Sequence, residues 1–157
     1  MGTRNLTVVK QDYQIKIAQY GQYDGYPEGA GKTILEFLQG LDLEKFKEKL
    51  KACRFIDPAK LENMPDEQWQ ELREKQPQLS RETGAKVLQM VMNNESDDFE
   101  LKDACAFGFD NLFCEWLYLI DLDTNTLTVR HNWIEPIIAT YDLDRLPQSM
   151  DGLHEMK

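Results

Sequence analysis

The sequence predicts an α+β fold, in which an antiparallel sheet built from N- and C-terminal β-hairpins is covered by about four helices. Three observations support this prediction. β-branched and aromatic residues are concentrated at both ends, helical periodicity fills the middle, and strands do not alternate with helices as in a nucleotide-binding fold. A chain of 157 residues can bury one core, so we expect a single domain over residues 1–157.

The two hairpins are predicted from short apolar runs on either side of polar turns. Residues 6–10 and 14–20 are rich in β-branched and aromatic side chains and flank a polar turn. WLYLIDL at 116–122 and LTVRH at 127–131 flank the turn sequence DTNT in the same way. Each pair is therefore expected to form antiparallel strands.

The helices are predicted from apolar residues spaced three and four apart, together with capping residues at their ends. Residues 53–64 are expected to be irregular and residues 93–104 to form a loop. The four predicted helices begin at Thr33 (ending at Gly40), after Asp42, at Pro65 (ending at Pro77) and after Ser80 (ending at Asn93-Asn94).

The net charge of −10 is unevenly distributed along the chain. Between Glu95 and Asp123 there are nine acidic residues against the single basic residue Lys102. Binding to a nucleic-acid backbone needs basic side chains, so we expect no direct nucleic-acid binding. A basic protein partner is more compatible with this charge, and the alternative is a solvated face that maintains solubility. The candidate partner-binding residues are Glu95, Asp97, Asp98, Glu100 and Asp103.

Composition also limits the location and the cofactors that are expected. The start MGTRNLTVVK is not a secretory signal, and the longest apolar run, 116–120, is far too short to span a membrane. We therefore expect a cytoplasmic protein. Three cysteines without CxxC spacing and two histidines favour neither a disulfide framework nor a metal site, and no cofactor is expected. The oligomeric state is left open.

The segment YDGYPEGAGKT at 23–33 ends in Gly-Lys-Thr, as a phosphate-binding loop does. The first glycine of such a loop would have to occupy position 26, which is Tyr26, and Pro27 lacks a backbone N–H donor. The spacing is therefore wrong for a phosphate loop. The segment is instead expected to be a turn that leads into a helix.

A second motif of chemical interest is the pair Asp121 and Asp123 at the end of a predicted strand. At a period of two, both carboxylates face the same side of the strand and suit a magnesium ion or acid–base chemistry. No His or Lys is nearby in sequence to complete a site, and acidic residues are common in turns. No metal site is predicted here.

Several segments resemble one group of proteins. MGTR at the N-terminus, YGQYDGYPEGAG at 20–31, TGAKVLQ at 83–89 and FCEWLYLIDLD at 113–123 are similar to small uncharacterised proteins of bacteria and their phages. That group begins with MGTR and shares the pattern Y-x-Q-x-D-G-Y-P-x-G-x-G. The resemblance implies a fold lineage and a phage or mobile-element origin, and it implies no particular activity. It also implies that Gly-Lys-Thr is not a required part of the pattern.

Polar residues near the N-terminus suggest a small pocket. Because alternate residues of a strand project from one face, these side chains are candidates to line a ligand-binding pocket, although they also suit a turn packed on the core. Thr3 is a candidate N-terminal nucleophile, which requires cleavage between Gly2 and Thr3. The candidate ligand-binding residues are Arg4, Tyr20, Gln22, Asp24 and Tyr26.

Two hypotheses of function follow from the sequence. The leading one is a non-enzymatic phage or mobile-element protein whose acidic surface binds and inhibits a basic host protein, such as a defence nuclease, in the manner of an anti-CRISPR inhibitor. The alternative is a small hydrolase or a nucleotide-type-ligand binder that uses the N-terminal pocket. A cleft-free acidic face favours the first hypothesis, and a pocket rimmed by MGTR and DGYP favours the second.

Overall fold

The computed structural model describes residues 2–153, so the ends of the expected domain, residue 1 and residues 154–157, lie outside the described part. The α+β class is confirmed. The α-helices are α1 (Lys32–Gln39), α2 (Leu43–Leu50), α3 (Pro58–Glu62), α4 (Asp66–Lys75) and α5 (Val87–Asn93). The strands are β1 (Asn5–Gln11), β2 (Gln14–Gly21), β3 (Cys53–Phe55), β4 (Phe99–Leu101), β5 (Trp116–Asp121), β6 (Thr126–Arg130) and β7 (Ile137–Asp142).

The main sheet has the strand order β2-β1-β5-β6-β7. Both predicted hairpins are present, as β1–β2 and β5–β6, and β7 extends the second hairpin as an additional antiparallel strand. The two hairpins join through β1 and β5, which run parallel, with Asn5 opposite Trp116 and Lys10 opposite Asp121. The sheet is therefore mostly antiparallel, with one parallel pair at its centre.

The β1–β2 turn contains two non-glycine residues with positive φ, Asp12 at 55° and Tyr13 at 60°. This conformation is unfavourable for residues with a side chain. The Asp123 carboxylate accepts hydrogen bonds from both turn amides, at 2.8 Å from Asp12 N and 2.8 Å from Tyr13 N. The second hairpin thus stabilises the turn of the first.

Alternation along β5 divides the core between the two faces of the sheet. Trp116, Tyr118 and Ile120 point to the helical side and pack with the buried residues of α1, α2 and α5. Leu117 points to the other side and packs with Leu6 of β1. That second face is covered by the 3₁₀ segment Cys105–Phe109 and by Trp133, so both faces of the central strands are buried.

Three parts of the middle of the chain differ from the sequence-based prediction. The expected irregular segment contains β3 and α3, and the expected loop contains β4, which pairs in parallel with β3. These strands are only three residues long, too short for a period of two to be visible. The helix expected after Ser80 begins at Val87, following the 3₁₀ turn Gly84–Lys86, since Ser80 Oγ accepts from the amide of Glu82 and closes a separate turn.

Candidate ligand-binding site

A cavity of about 600 Å³ opens between the DGYPEG segment and the turn before α5. Its volume lies within the usual range for small-molecule sites. Two segments far apart in sequence form its walls, and the first residue of β1 forms its floor. The lining residues are Asn5, Tyr23, Asp24, Tyr26, Glu28, Gly29, Ala30, Thr33, Glu82, Thr83, Gly84, Ala85 and Lys86.

Asn5 is 1% exposed and ties the N-terminal segment to the wall of the cavity. Its Nδ2 lies within hydrogen-bonding distance of three backbone carbonyl oxygens, at 3.2 Å from Thr3, 3.2 Å from Gly21 and 3.3 Å from Tyr23. The side-chain oxygen Oδ1 is buried and has no hydrogen-bond partner within the described residues. A buried acceptor in this condition costs free energy unless a donor reaches it.

Two further buried acceptors without partners lie next to Asn5 on the helical face of the sheet. Thr7 Oγ1 and Gln19 Oε1 belong to residues that are directly opposite each other in the β1–β2 pair. Gln19 Nε2 donates to the carbonyls of Gln78 and Ser80, at 3.1 and 3.3 Å, and so holds the chain that leads to the second wall. The floor region is therefore polar and poor in donors.

The walls of the cavity contain strained and tightly packed backbone. Asp24 has φ 54° and Gly84 has φ 54°, so both walls use the left-handed region. A Cβ on Gly25 would lie 2.6 Å from the carbonyl oxygen of Thr3, so this position requires glycine. The Gly25 carbonyl accepts from the hydroxyl of Tyr118 at 2.6 Å, and burial, together with the charge of Glu28, raises the pKa of Tyr118 well above its usual value.

The Gly-Lys-Thr segment does not form a phosphate cradle. Residues 27–31 make a single π-helical turn that continues directly into α1. The amides of Gly29 and Gly31 donate to the carbonyl of Tyr26, and the amide of Ala30 donates to the carbonyl of Asp24. Since these N–H groups are already used within the turn, they are not available to wrap a phosphate.

The structure separates the five residues proposed for the N-terminal pocket. Asp24 and Tyr26 line the cavity. Tyr20 projects from the opposite face of the sheet, where its ring meets Phe107 edge-on at 4.9 Å and its hydroxyl bonds Gln22 Oε1. The Arg4 guanidinium lies 5.2 Å from the centroid of an exposed phenylalanine ring, Phe113, and does not line the cavity.

Thr3 lies in a second, smaller cavity of about 430 Å³, which it shares with Tyr26, Cys114, His131 and Glu135, among others. The His131 Nδ1 is 2.8 Å from the carbonyl oxygen of Glu115. This contact fixes the orientation of the imidazole ring, and Nε2 is the ring nitrogen outside it. A Cβ on the preceding residue, Gly2, would lie 1.9 Å from the Gln22 carbonyl oxygen. The N-terminal segment is therefore closely packed as far as Gly2.

The acidic segment 95–103 is partly neutralised within the chain. Arg54 Nε and Nη2 donate to both carboxylate oxygens of Asp98, at 2.5 and 3.0 Å. Arg54 and Lys60 also form ion pairs with Glu100, at 3.4 and 4.0 Å. The Asp103 carboxylate accepts a hydrogen bond from the backbone amide of Cys105. The two remaining acids of the proposed set, Glu95 and Asp97, are exposed. The segment is therefore less negative than its composition indicates.

The paired aspartates at the end of β5 serve the turns of the sheet. Asp123 bonds the β1–β2 turn, and Asp121 Oδ1 accepts from the amides of Asp123 and Thr124 at 3.0 and 3.3 Å. Among residues 2–153, no three His, Cys, Asp or Glu side chains come together as a metal-ion site. Within the same range, every helix is too short or too polar to cross a bilayer.

The sequence analysis missed Asn5 and the second wall, Glu82–Lys86, as parts of a site. Asn5 and Thr7 alternate with Leu6 and Val8, a pattern typical of a strand with one solvent-facing side. Both faces of β1 are in fact covered, so these polar residues are buried. The only sequence feature that pointed to the site was the pair of short Gly-containing segments, and hydrophobic periodicity does not predict that two distant segments are in contact.

Comparison of the chain with protein-family models, curated proteins and solved structures found no match. Function is therefore inferred from the chemistry of the cavity and of the surface alone.

Proposed function

We propose that the protein binds a small polar ligand in the cavity between the DGYPEG segment and Glu82–Lys86. The observation that supports this most directly is the buried Asn5 Oδ1 at the floor, which lacks a donor. Native proteins satisfy nearly all buried polar atoms, and those left unsatisfied are typical of functional sites or of positions that bind water. A ligand donor reaching this oxygen would recover the cost of its burial.

The strained backbone of the DGYPEG wall gives independent support. Asp24 is a non-glycine residue at positive φ, a conformation that costs free energy and that is frequent at binding sites. The wall residues Thr33 and Lys86 are exposed, so a ligand has access from solvent. Binding rather than catalysis is proposed, because the threonine hydroxyls that line the cavity, those of Thr33 and Thr83, donate to the backbone carbonyls of Gly29 and Pro77 and not to a base.

The experiment is a screen of small polar compounds against ¹⁵N-labelled protein by NMR. We expect a subset of compounds to shift the amide signals of the walls, including Gly29 and Gly84. Thr33→Trp places a large ring at the mouth and should abolish these shifts, whereas Lys45→Trp, an equally exposed change on α2, should preserve them. If no compound shifts the wall amides, or if Thr33→Trp leaves the shifts intact, the proposal is wrong.

Binding of a basic host protein is a second proposal, and it rests on a different surface. Glu95 and Asp97 remain exposed and unpaired within the described chain, and large apolar side chains are exposed nearby in sequence. Phe109, Leu112 and Phe113 are 63%, 75% and 48% exposed, in one five-residue segment. Exposed apolar side chains and exposed charges are both common in protein interfaces.

This second proposal is tested by isolating a partner and measuring its association rate at several salt concentrations. Rim charges accelerate association, so Glu95→Gln with Asp97→Asn should slow it, and the difference should vanish at high salt. A Leu112→Ser variant should instead increase the dissociation rate. Equal rates for wild type and both variants would contradict the proposed surface.

A further inference from the structure

The charge of the cavity indicates which class of ligand it accepts. Three carboxylates line it, Asp24, Glu28 and Glu82, against one ammonium group, Lys86. Glu28 Oε1 already accepts a hydrogen bond from the amide of Gly152 at 3.1 Å. The carboxylates of Asp24 and Glu82 make no hydrogen bond or ion pair with any residue in the range 2–153. Two uncompensated carboxylates therefore face the same space.

Aromatic side chains add to the preference for a positive ligand. Tyr23 and Tyr26 line the cavity and are 54% and 48% exposed, although large aromatic rings are usually well buried. The face of an aromatic ring carries partial negative charge and attracts ammonium and guanidinium groups. Both rings and both carboxylates thus favour the same sign of charge.

The floor of the cavity supports the same ligand class independently of the acids. Asn5 Oδ1 is an acceptor, it belongs to a residue that is 1% exposed, and it has no donor. Its amide nitrogen is already held by three carbonyl oxygens, so the side chain cannot turn to present a donor to a ligand. A ligand that reaches the floor must supply an N–H or O–H group.

An anionic ligand is disfavoured by the same contacts. The amides of Gly29, Ala30 and Gly31 bond carbonyl oxygens inside the π-helical turn. Among residues 2–153, Lys86 is the single positive group that lines the cavity. A phosphate or carboxylate would meet two unpaired carboxylates without the backbone donors that anion sites normally provide.

We propose that the cavity binds an organic cation that carries an ammonium or guanidinium group, an inference that rests on the binding function proposed above. The N–H groups of the ligand donate to Asn5 Oδ1 and to the carboxylates of Asp24 and Glu82. The rings of Tyr23 and Tyr26 cover the charged group at the mouth. The cation belongs either to a free small molecule or to a basic side chain of a protein.

Calorimetric titration with compounds of similar chain length tests the sign of the charge. The probes are agmatine and 1,4-diaminobutane as cations, 1,4-butanediol as the neutral compound, and succinate as the anion. We expect the cations to bind and the other two not to bind. Asp24→Asn and Glu82→Gln should each weaken cation binding by about tenfold, and Glu62→Gln, an equal charge change at an exposed residue outside the cavity, should leave it unchanged.

Asparagine adopts positive φ readily, so Asp24→Asn should fold normally, which circular dichroism verifies.

An acetylated and amidated Gly-Arg-Gly peptide separates the two sources of the cation. Binding of the peptide more tightly than agmatine assigns the site to an arginine side chain, and the reverse order assigns it to a free small molecule.

Three results would overturn the inference. Stronger binding of succinate or butanediol would leave the cavity as a ligand site but exclude a cation. Equal weakening by Glu62→Gln would reduce the effect to general attraction by a negative protein. Failure of these probes, when no compound of the wider screen shifts the wall amides either, would remove the binding function itself.

Discussion

The floor of the cavity and the acidic segment 95–103 satisfy their polar groups in opposite ways. At the floor and next to it, uncharged side chains are buried, yet the side-chain oxygens of Asn5, Thr7 and Gln19 have no hydrogen-bond partner among residues 2–153. In the acidic segment, Asp98 lies at the surface, yet it is held by both nitrogens of the Arg54 fork. A dense run of charged residues in a sequence therefore does not by itself indicate polar groups without partners. In this protein the polar groups without partners are buried and uncharged.

The largest expected effect is on thiol reactivity. Cys114 packs next to the N-terminal segment, and burial raises its pKa to about 12. Cys53 lies in β3, which pairs with the end of the acidic segment, and burial raises its pKa to about 11. At pH 8 the thiolate fractions of both cysteines should be more than about 100-fold below that of an ordinary thiol, with that of Cys114 the lower.

Alkylation with iodoacetamide, followed by mass spectrometry of the peptides, measures this order. Cys105, which is partly exposed, should react first, and Cys114 last. In urea all three should react at similar rates, which controls for local sequence. Faster modification of Cys114 than of Cys53 in the folded protein would show that the N-terminal region opens more readily than its packing indicates.

Close packing beside the cavity should make Gly25 sensitive to substitution. Gly25→Ala brings a Cβ within 2.6 Å of the Thr3 carbonyl oxygen, and overpacking of this kind costs about 1–3 kcal/mol. Gly40→Ala at the end of α1 is the matched control, because nothing lies within 4 Å of its added Cβ. Urea denaturation should separate the two variants. Equal stability of the two variants would mean that the N-terminal segment shifts away from the added Cβ without a loss in the free energy of unfolding.

Two substitutions on the same face of β1, one at the floor and one next to it, should change stability in opposite directions. Asn5→Ala leaves three backbone carbonyls without their shared donor and should cost about 1–3 kcal/mol. Thr7→Val removes a buried hydroxyl without a partner while keeping its shape, and should stabilise the fold by up to about 1 kcal/mol. The urea denaturation midpoints of the two variants measure both changes in stability. Destabilisation by Thr7→Val would reveal that a bound water or another donor satisfies the hydroxyl.

The smallest effect is expected in the acidic segment. The hydrogen bond from Arg54 holds the pKa of Asp98 below its usual range. The stabilisation is fully present above the unfolded pKa of about 3.9 and is lost as pH falls through the lower folded value. Arg54→Met should therefore lower Tm slightly at pH 7, this difference should shrink as pH falls below about 3.9, and added salt should reduce it.

Arg145→Met is the control for this pair, because Arg145 is exposed and in no ion pair within the described residues. It changes the net charge by the same amount. A fall in Tm that is equal for both variants would assign the effect to net charge and not to the pairing with Asp98.

Local patterns predicted the hairpins and the helix capped by Asp42, because each depends on residues close in sequence. The Asp42 carboxylate accepts from the amide of Lys45 at 3.1 Å, as a capping residue should. The parallel β1–β5 pair was not predicted, since it depends on which edges of two hairpins meet. The same limit applies to the cavity: Asp24 was nominated from sequence, but Glu82 joins it only through the packing of distant segments.

The parallel pairing of β1 with β5 has a consequence for how the protein is made. Asn5 and Trp116 are neighbours in the sheet but are separated by more than a hundred residues of chain. As the polypeptide leaves the ribosome, the first hairpin emerges long before its partner strand, and the free edge of β1 is exposed meanwhile. Such distant contacts also slow folding. During this interval the open edge of the N-terminal hairpin can pair with strands of other chains.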